Sequence, residues 1–348
     1  MYELKVRASK TYDITIAEDL SLFSERILPL VKGASVAIIT DDKVMGLYGG
    51  ALDGFFAAKR VIKIVIKRGE KSKNATNYLK IINALAENGF TRADTVIALG
   101  GGVVGDIAGF AASTYMRGIT LIAVPTTLLA MVDSSVGGKT AIDLKAGKNL
   151  CGTFYQPSAV YVNTGFLKTL PVKEIKNGLG EVIKYAFLSD TVKREDIRDI
   201  NAALIYKCLK IKRDIVEQDE KESGCRALLN FGHTVGHAIE KLSNYKLSHG
   251  ACVARGMVYA VEISRRIYGL SDETVARMYA LLTSGKHDLG CGYCAESIAR
   301  QITADKKRYG DSVNFVAVKD LGKAEIVKLK ISDIEKMIKD YENSFKSF

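Results

Sequence analysis

Three of the chain's four histidines, His233, His237 and His249, fall within 17 residues. In Asn230-Phe-Gly-His-Thr-Val-Gly-His-Ala-Ile-Glu240, read as a helix, positions 233 and 237 share one face. Two imidazoles so spaced serve one metal, or one metal and one substrate; two surface histidines are the plain alternative. Thr234 stands where a zinc-protease HExxH keeps its general base, which excludes that chemistry. His249, read with Gly250 as a loop, can close a coordination site from another direction. A third ligand is available in Gly180-Glu-Val-Ile-Lys-Tyr185, where Glu181 and Lys184 lie one helical turn apart, whether as ligand and neighbouring cation or as a simple ion pair. Two histidines and a glutamate with an open position make a catalytic zinc site, which polarises oxygens and lowers a hydroxyl pKa.

Two glycine-rich stretches point to anions. The apolar run ending at Leu99 enters Gly100-Gly-Gly-Val-Val-Gly-Asp106, which satisfies GxGxxG through Gly100, Gly102 and Gly105. Such a loop lets backbone approach a pyrophosphate at a helix N-terminus, although a tight strand-to-helix turn needs the same glycines. No acidic residue follows at the distance that would hold a ribose hydroxyl; an earlier strand end, Thr40-Asp41-Asp42-Lys43, can supply that carboxylate instead. The second stretch, Val132-Asp-Ser-Ser-Val-Gly-Gly-Lys-Thr140, ends like a P-loop. That motif needs a glycine where Asp133 stands, and a carboxylate there repels the phosphate. Lys139 therefore needs another explanation.

The elements that must position these residues change character along the chain. The runs 35–40, 60–66, 94–99 and 119–124 are short and β-branched, as buried strands are, and helical stretches such as 76–88, closed by Gly89, lie between them. Strand and helix in alternation imply a parallel sheet. From residue 166 long helical periodicities take over, so an α/β domain is expected over 1–165 and a helical one over 166–348. The 348 residues, 47% hydrophobic and 26% charged, suit a soluble globular protein of two domains. No apolar run is long enough to span a membrane, and Glu3, Lys5 and Arg7 leave no room for a signal peptide, so a cytoplasmic protein is expected. The six cysteines form no framework, and Cys291-Gly-Tyr-Cys294 is a lone CxxC. The net charge of +11 is spread along the chain without an arginine-rich arm, which argues against nucleic acid and for a phosphorylated or carboxylated metabolite.

Taken together, the motifs resemble the 3-dehydroquinate synthase family of sugar-phosphate cyclases. The segments that carry the resemblance are Gly100 through Phe110, Tyr115-Met-Arg-Gly118, Pro125-Thr-Thr-Leu-Leu-Ala130, Val132 through Thr140, Gly147-Lys-Asn-Leu150, Phe154-Tyr-Gln-Pro157, Glu181-Val-Ile-Lys-Tyr185, Asp219-Glu220 with Glu222, Arg226 through Glu240, His249-Gly250 and Asp305-Lys-Lys307. They run in the family's order from about 41 to 310. The resemblance implies a Rossmann-like α/β NAD-binding domain followed by an all-α metal-binding domain. It implies zinc, with cobalt as a substitute, held by Glu181, His233 and His249. His237 is then no ligand and acts on the substrate, with Glu222 sharing the proton relay. Lys139, Asn149, Lys184, Lys212, Arg226, Asn230 and a lysine of the 305–307 run, taken as Lys306, match substrate-holding positions, with Asp133 beside them. Arg117 matches an arginine that reaches a neighbouring subunit, which implies a homodimer. For NAD the matching positions are Asp41, Glu70, Lys71, Gly101, Gly102, Val103, Asp106, Thr126, Thr127, Lys148, Phe166, Thr169 and Asn177.

The implied reaction takes 3-deoxy-D-arabino-heptulosonate 7-phosphate through transient oxidation by NAD, phosphate elimination, re-reduction, ring opening and aldol closure to 3-dehydroquinate. A substrate with both a phosphate and a carboxylate accounts for so many basic residues. Two departures stand out: Gly180 replaces the family's usual alanine and is expected to loosen the helix, and the segment between Glu181 and Lys212 is short. The rivals are another cyclase of the epi-valiolone or deoxy-inosose synthase type, a polyol dehydrogenase, and a catalytically silent binding protein.

Overall fold

The β-branched runs of the first half meet in one sheet in a computed structural model that describes every residue except 291, 307–309 and 347–348; the side chains of 305–306 and 344–346 also lie outside the described residues. In chain order the strands are β1 (Tyr2–Arg7), β2 (Thr11–Ala17), β3 (Ser35–Asp41), β4 (Arg60–Ile66), β5 (Thr95–Gly100), β6 (Thr120–Pro125), β7 (Lys139–Leu144), β8 (Gly147–Phe154) and β9 (Ala159–Asn163). The sheet order is β1-β2-β9-β6-β5-β3-β4, all parallel except the β1–β2 hairpin. β5 and β9 are buried at every position, as central strands covered on both faces must be. The chain steps from β3 outward to β4 and then back across to β5. This reversal puts the topological switch point, where open α/β sheets bind ligands, at the carboxyl ends of β3 and β5.

The helices between strands follow local chemistry. Ala75–Glu87 is capped by the Asn74 side chain and ends at Gly89, whose φ of 62° suits glycine. Gly89 N–H donates to Ala86 and Phe90 N–H to Leu85, a Schellman closure. This helix and Gly102–Thr114 pack Ile81, Leu85, Ile107 and Ala111 against Ile39, Ile64 and Val96 of the sheet. Three strand pairs escape the sequence reading. β1–β2 and β7–β8 are half-exposed hairpins whose polar outward positions dilute the apolar signal. The third is β10 (Ser312–Asp320) with β11 (Lys323–Lys330), in the region expected to be all-α. There Val313, Phe315 and Ala317 alternate inward and lysines line the outer strand, a period of two within a helical setting.

The chain divides into two compact units, Met1–Pro171 with Asn201–Glu220, and Val172–Ile200 with Lys221–Phe348. The boundary read from sequence lies at 165, and the helix Ala202–Gln218 returns to the first unit. The second unit is built on helices Val172–Leu188, His233–Leu242, His249–Tyr268, Asp272–Leu282 and Ala295–Lys306, with Ile331–Lys346 after the hairpin.

Candidate active site

At the switch point of the first unit, β5 ends in Gly100 and helix Gly102–Thr114 begins after Gly101, which offers no capping side chain to its N–H groups. The glycines are needed for close approach: a Cβ on Gly100 would lie 2.6 Å from Val104, and one on Gly101 2.9 Å from the Thr127 side chain. Around Gly105, by contrast, nothing lies within 4 Å of such an atom, and Gly100, Gly101, Gly105, Ser134, Lys139 and Tyr155 line one cavity. The Thr126 hydroxyl is buried without a partner among the described residues. An open helix N-terminus, a glycine-lined cradle and an orphaned hydroxyl fit a dinucleotide pyrophosphate. Val103 sits in the first turn of this helix. Asp41, at the end of β3, caps Asp42–Tyr48 by accepting from Lys43 N and Val44 N. Phe166 packs on Tyr48 with ring centroids 4.5 Å apart, and Thr169 hydrogen-bonds the Tyr48 hydroxyl.

A charged cluster stands nearby in the same unit. The buried Lys73 ammonium donates to Asn149 Oδ1 at 2.7 Å and pairs with Glu70 at 2.9 Å and Asp106 at 3.2 Å; Lys148 lies 3.7 Å from Glu70. The lysine brought to Glu70 is Lys73, and the side chain of Lys71 is exposed. The missed signal is the i,i+3 spacing of Glu70 and Lys73 across the turn Glu70–Ser72. Burial raises the Asp106 carboxyl to about 6, against the pull of Lys73. Asn149 holds a φ of 56°, with its N–H bonded to Asp143.

Gly138-Lys139-Thr140 opens strand β7, whereas a P-loop sequence opens a helix, so the P-loop reading fails on geometry as well. Gly137 and Gly138 have φ of 101° and 70°, which turns the chain into β7 and leaves Lys139 exposed at its start. Asp133, in the turn Ala130–Ser134, binds the buried Lys212 ammonium at 3.1 Å. Arg117 is exposed after Met116, with φ of 64° and 51°.

In the second unit Glu181 and Lys184 are 1% exposed on helix Val172–Leu188, and the Lys184 ammonium stands 2.5 Å from Glu181 Oε2. Glu181 Oε1 faces His249 Nε2 at 3.1 Å and His233 Nε2 at 3.4 Å. Behind them His233 Nδ1 is 3.1 Å from the Phe231 carbonyl and His249 Nδ1 is 3.4 Å from Glu240 Oε2. With their Nδ1–H groups directed at these acceptors, both Nε2 atoms face a carboxylate, an arrangement that calls for a proton or a metal ion between them. Burial opposes charge on Glu181, yet Lys184 and the histidines hold its carboxyl well below the ordinary range. Burial likewise opposes charge on His249, but Glu181 and Glu240 raise it to about 10. The pocket therefore favours positive charge, and a divalent ion fits it by displacing the proton. Nε2 of the two histidines and one Glu181 oxygen all lie within 4.8 Å of one another.

Two sequence expectations change here. Gly232, at φ 76°, interrupts the expected helix, which begins at His233 after the turn Cys225–Asn230. His249 is not in a loop: it opens helix His249–Tyr268 after Ser248. Glycine contacts fix these helices. A Cβ on Gly256 would lie 1.9 Å from the Gly232 carbonyl, and one on Gly250 1.9 Å from that of Asn177, whose side chain also accepts from Gly250 N. Gly180 does not loosen its helix; a Cβ there would meet the Gly250 backbone at 2.4 Å, so it permits the approach that brings Glu181 beside His249.

His237 is exposed one turn beyond His233, with ring centroids 5.2 Å apart. Glu222, at φ 60°, accepts from Asn230 Nδ2 at 2.7 Å, and Arg226 of the same turn is 2% exposed. The side chain of Lys306, and Cys291, lie outside the described residues.

Comparisons with known proteins agree along the whole chain. The family model for the 3-dehydroquinate synthase N-terminal region matches residues 63–177 and that for the C-terminal region residues 178–308. A 3-dehydroquinate synthase of Clostridium acetobutylicum is 43% identical over 90% of this chain and 92% of its own length. That of Endomicrobium trichonymphae is 40% identical over 96% of both. Among solved structures, 2-deoxy-scyllo-inosose synthase, complexed with carbaglucose-6-phosphate, NAD+ and Co2+, superimposes with a TM-score of 0.89 at 25% identity, covering 97% of this chain and 99% of that one. The 2-epi-5-epi-valiolone synthase of Streptomyces hygroscopicus, with NAD+ and Zn2+ bound, shares the fold at a TM-score of 0.86 and 22% identity, over 98% and 99% of the two chains.

Proposed function

This chain belongs to the 3-dehydroquinate synthase family, and we propose that it is a carbon–oxygen lyase that converts 3-deoxy-D-arabino-heptulosonate 7-phosphate into 3-dehydroquinate and inorganic phosphate. The observation that carries the reading is the buried cluster of Glu181, His233 and His249 with Lys184 at its edge and His237 one turn away. When bound, NAD supplies a transient acceptor for hydride, and a divalent ion, zinc with cobalt as a substitute, supplies Lewis acidity at the substrate hydroxyls. Asp41, Glu70, Lys71, Gly101, Gly102, Val103, Asp106, Thr126, Thr127, Lys148, Phe166, Thr169 and Asn177 would hold the dinucleotide, with Lys73 pairing Glu70 and Asp106 beside it; Glu181, His233 and His249 would hold the metal.

His237, exposed beside the cluster, moves protons at the reacting carbons and oxygens, and Glu222 orients Asn230 toward the same substrate. Lys139, Lys184, Lys212 and Arg226 neutralise the substrate's phosphate and carboxylate, as bidentate and charge-assisted contacts to such anions require. Arg117, exposed on its left-handed turn, supports a homodimer in which it serves the neighbouring subunit. No described helix is long and apolar enough to cross a membrane, in keeping with work in the cytoplasm.

The test is phosphate release by the metal-loaded protein with catalytic NAD, offered the heptulosonate phosphate or sedoheptulose 7-phosphate. Release from the first alone, without accumulation of NADH, is the expected result. Release from the second alone assigns the chain to the carboxylate-free cyclases that its fold neighbours include.

A further inference from the structure

The helix His233–Leu242 carries a carboxylate that the reading above leaves without a role. Glu240 is 7% exposed and stands seven residues after His233 and three after His237, on the face that bears both. Its Oε2 lies 3.4 Å from His249 Nδ1, while His249 Nε2 faces Glu181 Oε1 at 3.1 Å. An imidazole has one lone pair per unprotonated nitrogen, so a ring that ligates through Nε2 must carry its proton on Nδ1, and that proton needs an acceptor. Glu240 is placed to be that acceptor. His233 meets the same requirement differently, through the neutral Phe231 carbonyl at 3.1 Å. The two ligand histidines are therefore backed by groups of different charge, and a charged acceptor makes the imidazole it holds the better donor to a metal.

We propose that Glu240 is a positioning residue that sets the tautomer and ring orientation of His249 and makes it the stronger of the two imidazole ligands. An oxygen of Glu240 and nitrogens of His237 and His249 also lie within 4.8 Å of one another, so the same carboxylate fixes the separation between the metal ligand and the proton-moving histidine. The inference rests on the metal reading of the Glu181 cluster. Its energetic basis is electrostatic and directional: the carboxylate is buried, so its field at the imidazole is weakly screened.

The experiment compares zinc affinity, by competition with a chromophoric chelator, in the wild-type full-length protein, E240Q and E240L. The amide of E240Q still accepts the Nδ1 proton but lacks the charge, whereas E240L lacks both. Roughly tenfold weaker binding in E240Q and about 100-fold in E240L are expected, with an altered visible absorption spectrum of the cobalt-loaded variants and an unchanged melting temperature of metal-free E240Q. Zinc affinity and cobalt spectrum equal to wild type in E240Q would overturn the proposal whether or not E240L folds. Wild-type protein that binds no zinc overturns the metal reading itself, a result distinct from binding that ignores position 240.

Discussion

Gly250 sets how closely the helix bearing His249 approaches the helix bearing Glu181, and replacing it with alanine tests whether that approach builds the metal site. A Cβ at 250 would lie 1.9 Å from the Asn177 carbonyl oxygen and 2.8 Å from its carbon, both backbone atoms that cannot swing away. Carbon and oxygen that are not bonded rest about 3.3 Å apart. The helix must therefore retreat by roughly 1.4 Å, several times the ~0.2 Å tolerance of a zinc–ligand distance. That movement carries His249 Nε2 away from Glu181 Oε1, now 3.1 Å distant, and strains the 2.8 Å bond from Gly250 N to Asn177 Oδ1. Overpacking of this kind costs about 1–3 kcal/mol of stability, and zinc binding should weaken on the order of 100-fold. Chelator competition, alongside thermal melting of the metal-free protein, measures both. A folded G250A protein that keeps zinc affinity within about twofold of wild type would show that the site does not depend on this helix contact.

Four further outcomes are expected. Gly46, in helix Asp42–Tyr48, has nothing within 4 Å of a would-be Cβ; G46A should stabilise the protein by about 0.5–1 kcal/mol, and a loss in denaturant unfolding would contradict the packing described here. K139A removes a charge-assisted contact worth about 1.5–3 kcal/mol, so kcat/KM should fall roughly 10- to 150-fold while NAD affinity, read by fluorescence titration, stays the same. The Asp106 carboxyl titrates at about 6 instead of its ordinary 3.8, chiefly through burial. Its folded value exceeds its unfolded one, so the native state binds more protons between these values and stability falls as pH rises through that window. D106N should abolish this contribution, and identical pH slopes of unfolding free energy in the two proteins would contradict it. Dialysis against a strong chelator should abolish phosphate release, and zinc or cobalt should restore it; full activity in protein shown to be metal-free would refute the role given to Glu181, His233 and His249.

Much of the first unit is legible in the sequence because its central strands are buried on both faces and the edge strand β4 keeps a β-branched run. The runs 35–40, 60–66, 94–99 and 119–124 agree with β3, β4, β5 and β6 to within one residue at each end. Period and composition disclose such strands, whereas β7 and β8 expose Leu144, Leu150 and Phe154 and read as loop. The candidate metal ligands Glu181, His233 and His249 stand out as residue types at scarce spacing, but their meeting does not. Glu181 and His249 are 68 residues apart, and their 3.1 Å contact depends on Gly180, Gly250 and Asn177, which show in sequence only as small or polar residues. The same limit hides Lys73: only the turn after Gly69, with φ 98°, brings it to Glu70.

The charged residues of each unit are already paired with one another, and this shapes how the protein meets its ligands. Lys212 holds Asp133, Lys73 holds Glu70 and Asp106, Lys184 holds Glu181, and Glu222 holds Asn230. Lys73, Lys184, Lys212 and Arg226 are all nearly buried, and a buried ammonium or guanidinium left alone would be severely penalised. Carboxylate partners keep the three lysines charged and fixed in place. On the proposed function, an incoming phosphate or carboxylate would exchange one partner for another and meet donors whose rotamer entropy is already spent, as preorganised recognition requires. The arrangement also sets a penalty for the wrong substrate. On that reading, a molecule lacking the carboxylate forfeits the contact to the cation that would bind it, and discrimination through a lost polar contact exceeds what a missing methylene achieves. Arg226 is the sharpest case, because it is 2% exposed. Replacing it with leucine should therefore lower kcat/KM for the heptulosonate phosphate far more than for a carboxylate-free analogue, and equal losses on both would mean that Arg226 serves packing alone.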